Sequence, residues 1–235
     1  MKSQKVWFVT GASKGLGLSL VKELLAQDYL VVATSRTKKA LENEIGDVEN
    51  FLPLEVDITD DKDVARAVLS AVDYFGRIDV LVNNAGYGQT GALEELSESE
   101  TRRNFEVNVF GSLNVIRHIA PHLRGQQSGH IFNIASIGGL VGNYPAFGVY
   151  CSTKFAVAGF SEALATEMEP FGVHTTVVYP GYFRTDFLSE GSLQTAANPI
   201  AAYITARESE ATHQHEINGN QVNDPQKAAT LLIEV

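Results

Sequence analysis

The chain has 235 residues, 44% of them hydrophobic and 20% charged, a composition that excludes a disordered chain and allows a sizeable core. Its 28 acidic residues against 18 lysines and arginines leave a net charge of −10 with no basic run, which excludes the basic footprint a nucleic-acid partner requires. A single cysteine, Cys151, excludes an intrachain disulfide and suits a reducing compartment. The N-terminal apolar run is too short for a signal segment or a membrane span, so the expectation is a cytoplasmic protein without a membrane partner.

In chain order, short β-branched runs predict strands at 5–10, 30–35, 51–56, 78–83, 130–135 and 173–179. Helical periodicity fills most of the gaps. Phe105, Val109, Ser112, Ile116, Ile119 and Leu123 recur at steps of three and four and predict one face of a long helix. Strands alternating with helices of this length imply parallel βαβ units. The expected architecture is an α/β, Rossmann-type doubly wound parallel sheet with helices on both faces, forming one domain over 1–235.

The stretch 186–223 interrupts this alternation, with no strong strand signal and scattered apolar residues, and predicts a lid or binding loop. Phe187, Leu188, Leu193, Tyr203 and Ile204 are its expected lining, and Arg184, just before it, and Arg207 are the only arginines there that could bind a carboxylate, so apolar or aromatic carbonyls are expected over charged acids. Asp224-Pro225 then predicts an N-cap followed by proline at the first helical position.

Six unusual groups follow the six strands. The first strand runs into Thr10-Gly11-Ala12-Ser13-Lys14-Gly15-Leu16-Gly17, a glycine turn opening into an amphipathic helix, the order that builds an anion cradle at a helix N-terminus. Ser35-Arg36 ends the second strand, Asp57 follows the third, and Asn83-Asn84-Ala85-Gly86 follows the fourth. Ser136 follows the fifth and Pro180-Gly181 the sixth. In an open parallel sheet those carboxyl ends share one edge, where ligands bind. Tyr150 and Lys154, at i and i+4, are neighbours on one helix face. Taken alone such a pair is an exposed aromatic–lysine pair; Ser136 upstream and Gly148 before the helix favour a chemical role.

These motifs, TGxxxGxG at 10–17, NNAG at 83–86, Asn108-Val109-Phe110-Gly111, Ser136, YxxxK at 150–154 and Pro180-Gly181, resemble the short-chain dehydrogenase/reductase family in order and spacing, over about residues 5 to 186. Tyr150 through Pro180-Gly181-Tyr182-Phe183-Arg184-Thr185 looks closest to its hydroxysteroid, retinol dehydrogenase and carbonyl reductase members. The resemblance implies a catalytic tetrad at Asn108, Ser136, Tyr150 and Lys154. Tyr150 would be the general acid/base, Ser136 would bond the substrate oxygen, Lys154 would hold the nicotinamide ribose and depress the tyrosine pKa, and Asn108 would anchor a relay water. It further implies a nicotinamide cofactor held by Gly11, Ser13, Lys14, Gly15, Leu16, Gly17, Ser35, Arg36, Asp57, Ile58, Asn83, Ala85, Gly86, Tyr150, Lys154, Pro180, Gly181, Phe183 and Thr185. Asp57 and Ile58 would contact adenine, and Thr185 the carboxamide. A small-molecule carbonyl or alcohol substrate and a homodimer or homotetramer are implied as partners.

Cofactor choice can be read from residues. NAD-preferring sites place an acid after strand two, where it repels a 2′-phosphate. Here Ser35 and Arg36 stand there, with Lys14 across the turn, so NADP(H) is expected over NAD(H). No metal is expected: His213-Gln214-His215 reads as surface histidines in a mobile loop, and Cys151 as a small packing residue. Asn108, inside a helix pattern, reads on its own as solvent-facing. The family's usual last strand would follow the helix beginning at Asp224; either the sequence is incomplete or shortened there, or the sheet manages without that edge strand. Two rival readings are a non-catalytic nucleotide sensor or scaffold on the same fold, and an epimerase or dehydratase of the longer branch, which conflicts with chain length and glycine spacing.

Overall fold

The computed structural model describes residues 4–235. Strand β1 (Val6–Val9) is buried at every position, as expected of a central parallel strand covered on both faces. It pairs in parallel with β2 (Leu30–Ser35) and β4 (Val80–Asn83). With β3 (Phe51–Glu55), β6 (Gly129–Ile134) and β7 (Val173–Val178) they form one six-stranded sheet of order β3-β2-β1-β4-β6-β7. The strand order reverses between β1 and β4, and a crevice opens there at the carboxyl ends. All six strands lie within two residues of their predicted bounds.

Helices cover both faces, so the chain has the α/β Rossmann-type doubly wound architecture. On one face α1 (Gly15–Ala26), α2 (Lys38–Ile45) and α8 (Pro225–Glu234) bring Leu20, Val21, Leu24, Leu41, Ala229 and Leu232 onto Trp7, Val9 and Phe132. On the other, α3 (Asp61–Phe75), α5 (Ser112–Gln126) and α6 (Gly148–Met168) bring Val68, Ile119, Leu123 and Leu164 onto Val6, Phe8, Leu81 and Ile131. Local chemistry sets the ends. The Asp60 carboxylate accepts from the N–H groups of Lys62 and Asp63 to start α3, and Gly76 at φ 80° ends it. A capping box between Ser97 and Glu100 starts α4 (Glu98–Phe105), and Asp224 with Pro225 starts α8 as predicted.

Two segments differ from the sequence expectation. The long helix predicted across Phe105 to Leu123 is continuous, but Glu106–Gly111 forms a π-helical turn between α4 and α5. Apolar spacing cannot register such a turn: Val109, Ser112, Ile116, Ile119 and Leu123 all remain buried. The stretch 186–223 is not a structureless loop. It holds a 3-10 turn (Asp186–Leu188), strand β8 (Leu193–Thr195), helix α7 (Ile204–Ala211) and a second π turn (Thr212–Ile217). Strand β8 pairs in parallel with β5 (Gly88–Thr90) in a separate two-stranded sheet. Three-residue strands carry too little alternation to be recognised in sequence.

The segment is tied down by charge as well. The Glu95 carboxylate, with no exposed side-chain surface, accepts from the N–H groups of Ala92 and Ile200 and pairs with Arg207 at 2.7 Å. Tyr203 donates its hydroxyl to Glu94, and Ile204 is exposed. Contrary to expectation, Leu193, Tyr203 and Ile204 do not line the crevice: Leu193 is buried in the cluster behind it, and the start of α7 is tied to Glu94 and Glu95 ahead of α4.

Candidate active site

The glycine turn is knitted to the loop after β4 by a few strong contacts. Thr10 Oγ1 accepts from the N–H groups of Asn84 and Ala85, both at 3.0 Å, while Asn84 Nδ2 donates to the carbonyls of Thr10 and Gly11. A Cβ on Gly11, at φ +63°, would lie 2.6 Å from Ala85 Cα; one on Gly17 would lie 2.4 Å from Asn84 Nδ2 and 2.7 Å from the Gly11 carbonyl. Only glycine permits this approach. The helix that follows has no side-chain cap, unlike α3, α4 and α8, so its first N–H groups are left for an outside acceptor. An uncapped helix start behind a closed glycine turn fits the pyrophosphate of a dinucleotide.

The crevice beyond is a cavity of about 350 Å³. Gly11, Ser13, Lys14, Gly15, Leu16, Ser35, Arg36, Asp57 and Ile58 line one end, and Ala85, Gly86, Ser136, Tyr150, Lys154, Pro180, Gly181, Phe183 and Thr185 line the rest. Three predicted residues, Gly17, Asn83 and Asn108, stand behind the wall instead. Gly17 is buried beneath Asn84. Asn83 turns into the sheet, donating to Asn133 Oδ1 at 2.8 Å, and its neighbour Asn84 faces the crevice. Strand alternation decides which asparagine points outward, and a pair at the strand end hides the phase.

Asn108 is 1% exposed, so it is not the solvent-facing residue its helix pattern suggests. It lies in the π turn, accepts from Tyr87 N–H at 3.0 Å, and donates to the Tyr87 carbonyl and to Thr153 Oγ1. Its side chain thereby fixes the loop carrying Gly86 to the helix carrying Lys154. The wider turn brings that amide against two elements at once, a use of π turns common at functional sites.

At the charged end, Asp57 accepts from Thr59 N–H and Oγ1, which holds its carboxyl below the usual range, with Arg103 and Arg36 adding to the effect. Among the described residues neither Arg36 nor Lys14 has a carboxylate partner. Ser35 is committed to its own turn, donating to the Thr37 carbonyl at 2.6 Å. Arg103, from α4, is a lining residue the sequence did not single out; no short motif marks it.

Lys154 and Tyr150 share a face of α6, with Nζ 5.8 Å from the phenol ring centroid. Lys154 donates to the Ile134 carbonyl at 2.8 Å and burial pushes it down to about 8. Burial pushes Tyr150 up to about 12, the Ser136 hydroxyl pulling the other way by hydrogen bonding. In the protein alone, desolvation outweighs the depression expected from the neighbouring ammonium. Ser136 Oγ accepts from Gly138 N–H at 3.1 Å, which aims the residue across the end of β6.

The Lys154 shift has a consequence for stability. From about 8 to 10.5 the unfolded chain holds a proton that the folded chain has released, so this residue makes stability rise with pH across that window. Below it both states are charged and the fold bears the cost of burying an ammonium. Lys154→Met is therefore expected to be more stable than wild type at pH 7, by roughly 1–3 kcal/mol, with the difference narrowing toward pH 10. Urea unfolding at both pH values checks this; an unchanging difference would contradict it.

His213 departs from the expectation of a surface histidine in a mobile loop, whereas His215 is exposed as expected. His213 is buried, lines the crevice, and bonds Tyr182. Sequence gave no sign of this, since the turn that carries it sits between apolar residues without clear periodicity.

Residues 5–195 match the model of the short chain dehydrogenase family. The chain belongs to this family. The oxidoreductase BOA17 of Botryotinia fuckeliana is 38% identical over 98% of this chain and 84% of its own. A 3-ketodihydrosphingosine reductase of Bacteroides thetaiotaomicron is 39% identical over 92% of this chain and 78% of its own. Among solved structures, a short-chain dehydrogenase from Streptomyces avermitilis superposes with a TM-score of 0.87 at 34% identity, covering all of this chain and 84% of that one. Two others carry cofactors. One from Burkholderia phymatum is in complex with NAD (TM-score 0.86, 25% identity, 99% of this chain and 85% of that one), and ElxO has NADP bound (0.80, 26%, 98% and 90%). This short-chain dehydrogenase is thus an oxidoreductase of a fold that takes nicotinamide cofactors. No helix among the described residues is long and apolar enough to cross a membrane.

Proposed function

We propose that the protein is an NADP(H)-dependent oxidoreductase that interconverts an apolar or aromatic ketone or aldehyde and its alcohol, with Tyr150 as general acid/base. The observation that carries the reading is the convergence of Ser136, Tyr150 and Lys154 on one crevice whose other end is an uncapped helix start flanked by Lys14 and Arg36. The bound cofactor would supply or accept a hydride at the substrate carbon. The chain's own residues do the rest.

In reduction, negative charge grows on the carbonyl oxygen, and a phenol kept protonated up to about 12 is suited to give its proton there. Ser136 shares the developing charge by hydrogen bond in a site shielded from water. In oxidation the same phenol must give up its proton. The Lys154 ammonium and a cationic nicotinamide both favour phenolate, against the burial that opposes it. Gly15, Leu16 and the turn before them would receive the pyrophosphate, and Asp57 and Ile58 would border the adenine. Arg36, Lys14 and Arg103 would offer positive charge to a 2′-phosphate.

The substrate end supports an apolar occupant: Phe147, Phe187, Leu188 and Tyr144 pack around Tyr150. Arg207 is paired with Glu95, and neither Arg207 nor Arg184 lines the crevice, so neither meets a carboxylate bound there. The Bacteroides relative named for a keto compound agrees with a carbonyl substrate. With NADPH, aryl ketones are expected to show kcat/KM at least about tenfold above small keto acids, because a carboxylate in this wall meets no cation. Steady-state assay of a carbonyl panel measures it, and faster turnover of the keto acids would overturn the substrate class. Phe110 and Phe155, about half exposed on the outer helix layer, are the apolar surface on which we place a homodimer or homotetramer contact. The lone buried cysteine agrees with a cytoplasmic setting.

A further inference from the structure

At the substrate end of the crevice stands a polar pair that proton transfer at Tyr150 does not use. His213 Nδ1 lies 2.7 Å from the carbonyl oxygen of Ser209, and a carbonyl only accepts, so Nδ1 carries the proton. In the neutral ring Nε2 then holds the lone pair. The Tyr182 hydroxyl, 2.8 Å away, must donate to it. That fixes the direction of the phenol O–H and leaves the oxygen's lone pairs as what Tyr182 offers the crevice it lines. The imidazole packs on Phe147 at 4.5 Å between centroids, and Phe147 meets Tyr150 at 6.3 Å. The two phenols thus flank one aromatic wall, close enough that Tyr182 contributes to the upward push on Tyr150.

The nearby amide is not available in the same way. Gln221 Oε1 accepts from Gly219 N–H and its Nε2 donates toward the Thr185 carbonyl. An oriented acceptor discriminates well, because a group that cannot donate leaves it unpaired; Tyr144, Ser192 and Gln194 are further polar side chains of the crevice lining.

We propose that Tyr182, oriented by His213, is a second recognition point that accepts a hydrogen bond from a hydroxyl of the substrate remote from the reacting carbonyl. The preferred substrates are then hydroxylated apolar ketones or aldehydes. This rests on the carbonyl-reductase reading above and adds a specificity to it. A dyad that only braced the π turn would affect all substrates alike, so the test is a ratio.

The probes are 4-(hydroxymethyl)acetophenone and 6-(hydroxymethyl)-2-acetylnaphthalene, two reaches of the same group, each against its methyl ether. Binding is measured by calorimetry to the protein loaded with a tetrahydronicotinamide analogue of NADPH, a complex in which neither the ketone nor the hydroxymethyl group can react. In wild type at least one alcohol is expected to bind about fivefold to tenfold more tightly than its ether, the effect of one neutral hydrogen bond. Tyr182→Phe is expected to bring that ratio to about one. His213→Phe, which frees the phenol to donate, is expected to shift the preference toward the ether. Ratios near one for both pairs in wild type, or an alcohol preference that survives Tyr182→Phe, would overturn the proposal. If the alcohol preference is present but NADPH is consumed with no ketone, the recognition point stands and the reductase reading fails; turnover with ratios of one sinks the recognition point alone.

Discussion

Replacing Tyr150 by phenylalanine is expected to lower kcat for carbonyl reduction by about 10²-fold or more while NADPH affinity stays within about twofold. The substitution removes a single oxygen from a ring that is 8% exposed and packed among Phe147, Cys151 and Leu188, so the fold has no reason to move. What is lost is the proton source beside the carbonyl oxygen. Water cannot take its place easily, since the same burial that pushes the phenol up to about 12 excludes solvent from it. Lys154→Met differs in kind, since it removes a cation that the reading assigns to both the ribose and the phenolate, and should weaken NADPH as well as slow turnover. Single-turnover kinetics with fluorescence titration of NADPH separates the two. A Tyr150→Phe protein that binds NADPH and turns over near normally would remove Tyr150 from the chemistry.

Gly17→Ala is expected to have the second largest effect, weakening NADPH binding by about tenfold to a hundredfold. The new methyl would stand 2.4 Å from Asn84 Nδ2 and 2.7 Å from the Gly11 carbonyl, inside contact distance of both. Relief requires moving the amide that ties the glycine turn to the loop after β4, and with it the cradle. Overpacking of this kind also costs about 1–3 kcal/mol of stability. Gly125→Ala is the control: a Cβ there meets nothing within 4 Å, and in α5 alanine is the better helix former. Titration of NADPH into both proteins decides. Equal affinities for the two variants would mean that the turn does not hold the cofactor.

Most of the sheet was legible because its strands are buried on both faces and read as continuous apolar runs, as at Val6–Val9. The crevice was legible for a related reason, since parallel strands put all their following loops on one edge. What stayed hidden depended on geometry that spacing does not encode. The π turn at Glu106–Gly111 keeps the apolar phase of its helix while turning Asn108 inward onto Tyr87 and Thr153. The phase of Asn83 and Asn84 rests on where β4 stops, a matter of one residue. Strands β5 and β8 are three residues each and stabilise one another across 105 positions of chain, so neither carries a local signal. His213 was misplaced because its burial comes from long-range partners, Phe147 and Tyr182. The expected depression of the Tyr150 pKa failed in the protein alone because a motif reports neighbours, not desolvation.

The central claim is hydride exchange with NADP(H) on a carbonyl substrate, and the most direct measurement is kcat/KM for NADPH and for NADH on the same aryl ketone, followed by absorbance of the reduced nicotinamide. Lys14 and Arg36 line the end of the crevice after β2 without carboxylate partners among the described residues, and no acid stands at the strand end to repel a 2′-phosphate. A charge-assisted contact of this kind favours NADPH by at least about tenfold. Consumption of NADPH at that advantage is the predicted result; a higher kcat/KM for NADH, or no oxidation of either cofactor by any carbonyl compound tested, would contradict the account.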